Sequence, residues 1–355
     1  MNTIHELVCE AYENWNDPAI IGRIGLEMES RTRLDLARKF LSRAISLDPM
    51  GNPQWYTALA FANFRDVRRL EEAGESALTD GIEATNSEYL KACYISFMED
   101  PRMTEELIRQ STMSPDPNVR FALGSSLLWI GRSDEALNIL RQTIRTIDEE
   151  DFPFAIDQYT GSMIWLRAQG KDIDLENEVF FYLRRLLQLF PDTYNYRAQF
   201  IQAHQAEKDW QGVKKAALET LERFPDEETT MFALAGACEK LGDEERAIHW
   251  YNRAIGAKPP YARARMSLAA IYERRNDTAR AEEIMREIPV AFPEYQMGKI
   301  YLAYFLDRIG KTQDAEKIFL QTYERLKPYE KAGVENHPAG KKFLEKRKSL
   351  ELTVL

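Results

Sequence analysis

Cysteine is scarce in this chain of 355 residues: the three present, Cys9, Cys93 and Cys238, are odd in number, far apart and never in a Cys-x-x-Cys pair. That excludes a disulfide framework and a zinc knuckle and leaves them as buried small residues. The four histidines, His5, His204, His249 and His337, show no metal-ligand spacing. His5-Glu6 opens a zinc-protease-like string, but Cys9 stands where its second histidine belongs. With 17 glycines and 15 prolines the chain is poor in the tight-turn formers a many-stranded β-protein needs. Positive charge is in deficit, 47 Lys plus Arg against 57 Asp plus Glu for a net charge of -10, which disfavours phosphate backbones and anionic membranes as partners. No apolar run approaches the roughly 18 to 20 residues that span a bilayer. Met1 to Trp15 carries His5, Glu6, Glu10 and Glu13 in place of the basic start and unbroken apolar stretch of a secretion signal. The expectation is a cytoplasmic protein with no nucleic acid among its partners and no membrane insertion.

What is present points to helices in a repeating array. Apolar residues at 44% and aromatics at 11% are enough to offset the entropy of ordering. The length exceeds what one core of ordinary size organises. Pro191, Pro225, Pro259 and Pro293 fall at 34-residue steps, as do Val213, Ala247, Ala281 and Ala315, and Ile201, Ala235, Ala269 and Ala303. Each period reads as two helices. In 228–259, Leu234, Ala235, Cys238 and Leu241 form one apolar face, Gly242-Asp243 breaks it, and Ala247, Ile248, Tyr251, Ala254 and Ile255 form the next before Pro259-Pro260. Small residues let two helices joined by a tight turn approach closely, and proline ends each unit.

Small residues at unit positions 8 and 20 with proline at 32 resemble the tetratricopeptide repeat family, most specifically over Tyr194 to Lys327, where four units run in register. Pentatricopeptide arrays, which usually repeat at 35 and read RNA, fit an acidic chain with a strict 34-residue step less well. Pro117 to Asp148 and Pro18 to Pro49 repeat the frame; Asn52 to Thr85 and Asn86 to Pro115 are degraded copies. In 151–193 the linker Gly170 to Leu175 is longer than the repeat allows and reads as an insertion. The resemblance implies an all-α superhelical solenoid of about nine antiparallel helix pairs with terminal capping helices. Its expected divisions are an N-terminal cap at 1–17, partly degenerate repeats at 18–193, the regular array at 194–328 and a C-terminal cap at 329–355.

No chemistry-bearing constellation emerges, so the expectation is no catalytic residue, no metal and no cofactor. Asp172, Asp174 and Glu176 imitate the start of a calcium loop, but Asn177 replaces its glycine and Leu183 its bidentate acid. Gly124-Ser125-Ser126 is explained by close helix packing. In the family's geometry, positions 2, 5, 9 and 12 of each first helix face the groove. The resemblance therefore implies a partner-binding set of Phe121, Asn195, Gln202, Phe232, Arg263, Met266, Glu273, Ile300 and Tyr304. The lysine, asparagine and arginine set that grips a chaperone's terminal carboxylate in some members is absent. The function read from these features is a non-catalytic scaffold holding a peptide or helical segment of another protein in its groove, and a homo-oligomer is compatible with it. Two alternatives stand beside it: a sensor of a small signalling peptide, and an enzyme with a site in the irregular region 86–193.

Overall fold

The computed structural model describes residues 3–66, 70–98, 101–147, 153–257 and 262–353, which contain twenty-one α-helices and no strand. The expected all-helical array is the one the chain adopts. Nine helix pairs follow one another, from Pro18–Ser30 with Leu34–Leu47 to Gln296–Arg308 with Thr312–Tyr323. Ile4–Glu13 precedes them, held by a capping box in which Thr3 and Glu6 satisfy each other's backbone amides. Pro328–Asn336 and Pro338–Thr353 follow, two helices where one was expected, because Pro338 brings no amide to continue the first and starts the second.

The turn inside each pair is a local event repeated along the chain. In the seven pairs whose inner turn is described throughout, one residue takes the left-handed conformation: Thr32, Gly131, Gly170, Lys208, Gly242, Asn276 or Gly310. The next amide then donates to a carbonyl five residues back, as Asp243 does to Cys238 at 2.9 Å and Lys311 to Leu306 at 2.8 Å. This closure satisfies the orphan carbonyls of the first helix. Asp209, Asp243 and Asp277 start the second helix by accepting from the amides of Gly212, Arg246 and Arg280 at 2.9, 3.3 and 3.1 Å.

Between the helices of a pair, the small column is filled from opposite. A Cβ on Gly124 would sit 2.6 Å from Leu140 Cδ2, and one on Gly25 2.8 Å from Leu41 Cδ2. Val213, Ala247, Ala281 and Ala315 are all fully buried. Of the proline column, Pro259 lies outside the described residues.

The chain divides into two compact units, Met1–Ala233 and Leu234–Leu355. In the first, apolar clusters form around Ile24, Phe40 and Trp55 and around Phe121, Leu140 and Tyr159. Its irregular linker after Pro153–Ala168 is anchored by buried Ile173 and Leu175 and leads into a π-turn at Glu176–Phe180. Asp174 accepts there from the backbone and side chain of Asn177 at 3.2 and 2.6 Å, so this acid caps the turn. In the second unit Phe343 of the last helix is buried against Phe319, ring centroids 4.6 Å apart.

Candidate functional site

The nine groove positions read from the sequence separate by burial. Phe121 has no exposed surface and packs edge-on against Tyr159, centroids 6.1 Å apart. Ile300 is likewise fully buried. Tyr304 is 8% exposed, stacked on His337 at 4.7 Å and parallel to Phe343 at 6.3 Å. Side chains without surface touch no partner, so these three are packing residues. The helices after the last pair cover Tyr304, and neighbouring first helices close over Phe121.

The remaining six keep surface. In the first unit Gln202 is exposed, while Asn195 and Phe232 are half-buried. In the second, Arg263 is exposed, and Met266 and Glu273 of the same helix are half-buried. Glu273 accepts two hydrogen bonds from Arg308, at 2.6 and 2.7 Å.

Asn195 belongs to a larger polar lining. Its Nδ2 donates to Asp157 Oδ1 at 2.6 Å, and Gln199 Nε2 donates to the same oxygen at 2.8 Å. Thr160 donates to Gln199 Oε1 at 2.6 Å, and Ser125 to Gln158 Oε1 at 3.2 Å. These side chains join three successive first helices, Pro117–Trp129, Pro153–Ala168 and Tyr194–Ala206. Burial pushes the Asp157 carboxyl up to about 7; the Asn195 hydrogen bond draws it down, and the Glu29 charge raises it further. Glu29, from the first helix of the first pair, is itself raised by burial against the pull of Arg65, which donates to it at 2.6 Å.

Asp157 and Glu29 were missing from the groove set, although its own columns reach them. Asp157 is the fifth residue of the helix starting at Pro153, and Glu29 the twelfth of the helix starting at Pro18.

A second pattern belongs to the second unit. Glu239 accepts from Arg274 at 2.7 Å, Glu273 from Arg308, and Asp307 from Lys342 at 2.6 Å. Each rung joins one first helix to the next element 35 positions on, the last to the C-terminal helix. These pairs are partly exposed, and each contributes on the order of 0 to 1 kcal/mol.

Helix pairs, a left-handed residue in each described inner turn and facing small-residue columns define a helical-repeat protein. Residues 199–262 match the family model of the tetratricopeptide repeat. No curated protein matches the chain. Repeats of this family generally mediate contacts between proteins and are typically non-catalytic. No described helix is long and apolar enough to cross a membrane.

Proposed function

We propose that this protein is a scaffold that binds an extended segment of another protein along its first helices, using in the first unit the lining around Asn195 and Gln202. The reading is supported by half-buried Ser125, Gln158, Asp157 and Asn195 on three consecutive first helices, hydrogen-bonded as Ser125 to Gln158 and Asn195 to Asp157, with Gln199 and Thr160 buried behind them. Amide side chains present a donor and an acceptor together, as a peptide backbone does, so such a lining reads a main chain irrespective of its side chains. Phe232 and, in the second unit, Met266 add half-buried apolar area of the kind that anchors an interface.

The test is site-specific photo-crosslinking in the full chain. A crosslinker at Gln202, Phe232 or Met266 captures one common polypeptide, and the same group at Leu218 or Arg253 on second helices does not. Capture from the second-helix positions alone overturns the assignment. Phe232→Ala and Met266→Ala each weaken the captured partner by about 10-fold.

A further inference from the structure

The first unit touches itself across nearly its whole length. The turn Arg31–Arg33 of the first pair meets the segment Phe224–Glu228, and helix Pro18–Ser30 packs against Tyr194–Ala206. Arg33 donates to Glu228 Oε2 at 2.5 Å and to the Asp226 carbonyl at 3.1 Å. Arg31 lies 4.8 Å above the Phe224 ring and 3.9 Å from Glu227, while holding Glu27 at 2.6 Å. Arg31, Arg33, Glu227 and Glu228 are only 3%, 5%, 1% and 2% exposed.

Three features set this contact apart from ordinary repeat packing. Its charges are buried, whereas the ion pairs between neighbouring elements are partly exposed. It is incompletely satisfied, with Arg33 Nε and Glu227 Oε2 both buried and without a hydrogen-bond partner. It uses a strained residue: Thr32 is β-branched yet holds φ at 58°, which presents its hydroxyl to Glu228 Oε1 at 3.1 Å. Opposing it, closure brings the Glu29 charge to bear on Asp157, two acids from the first and fifth pairs.

We propose that Arg31, Thr32 and Arg33 with Glu227 and Glu228 form a latch that holds the first unit closed on itself, and that breaking it parts the two ends while the helix pairs stay folded. Desolvation largely cancels the attraction within a buried ion pair, whereas a lone buried charge is strongly unfavourable. A seam of this kind therefore separates as a whole once one partner is lost. Each pair keeps its own apolar contacts with its neighbours, so parting the ends requires no unfolding of the repeats. The latch does not depend on what the lining binds.

The test is hydrogen exchange and small-angle scattering on the full chain. Arg33→Glu and Glu228→Arg each raise exchange at the amides of 31–33 and 226–228 by on the order of 100-fold and enlarge the radius of gyration, with helical circular dichroism unchanged. Combining them reverses the pair and restores protection. Unchanged exchange and size in either single variant, or a double variant as open as the singles, overturns the latch. Should Arg33→Glu lose helicity, Glu228→Gln, which keeps the side-chain size, is read in the same way: faster exchange at these amides supports the latch, and no change overturns it.

Discussion

Both units carry partly exposed ion pairs between neighbouring elements, and the first adds to them a set of buried charges that joins its ends. In Leu234–Leu355 a set of ion pairs runs between successive elements 35 positions apart and is partly exposed, as Glu273 to Arg308 shows. In Met1–Ala233 the four charges at the seam are buried and join residues separated by 195 positions, as Arg33 and Glu228 do. Contacts between neighbours accumulate unit by unit, so losing one of them is a local matter. A contact between distant ends exists only if every intervening pair keeps its angle, so it reports on the whole unit. The comparison teaches that regularity of sequence and interdependence of structure are different things. The second unit has more of the first, and the first unit more of the second.

The contrast can be broken most strongly at the seam. Arg33→Ala leaves Glu228 without its partner and opens the seam, costing the closed form of the first unit about 3 kcal/mol, measured as a rise in hydrogen exchange on the order of 100-fold at residues 31–33. A loss confined to the second unit would reverse the comparison.

The next effect is packing within a regular pair. Ala269 is 1% exposed, so Ala269→Leu overpacks its helix pair and costs about 1 to 3 kcal/mol in the second unit.

Acidity sharpens the contrast further. Glu227, faced by Arg31, Arg33, Glu27, Glu228 and Tyr194, is pushed up to about 7, chiefly by burial. Asp157, near Glu29, Tyr89 and Tyr196, reaches about the same value. The native state holds protons here that the unfolded chain has released, so the first unit's stability falls as pH rises from the ordinary carboxylate range to about 7 and levels off above. Between pH 6 and 8 each carboxyl accounts for on the order of 1 kcal/mol. Asp157→Asn removes part of that slope, read from urea midpoints at pH 6 and 8; an unaltered slope would assign the effect elsewhere.

The smallest effect is expected on the partly exposed ion pairs of the second unit. Lys311→Ala, which loses a 2.7 Å pair to Glu282, costs under about 0.5 kcal/mol, and Arg308→Ala under about 1 kcal/mol. A larger loss in thermal unfolding would mean that these pairs act as a network.

Much of the local architecture was legible in the chain. The glycine of Gly242-Asp243 marked an inner turn because only a left-handed residue lets the next amide reach back. Alanine and valine columns marked where helices face each other. Two things were not legible. Arg31, Arg33, Glu227 and Glu228 look like ordinary surface charges until curvature brings the ends together, and no periodicity encodes a contact made once. Phe121, Ile300 and Tyr304 occupy groove columns, but whether a column is open depends on which neighbour leans over it; for Tyr304 that neighbour is the run His337 to Phe343. Asp157 and Glu29 lie within reach of the columns; Asp157 stands in the unit with the longer linker, whereas the unit of Glu29 repeats the frame.

The rungs of the second unit have one further implication. Because each acid is answered by a base in the following element, a duplicated cassette such as 262–295 would arrive with both halves of a rung already matched to the copies on either side. The second unit can therefore be lengthened without rewiring. The same duplication inside the first unit would carry Glu228 away from Arg33, so that unit has a fixed size built into its circumference.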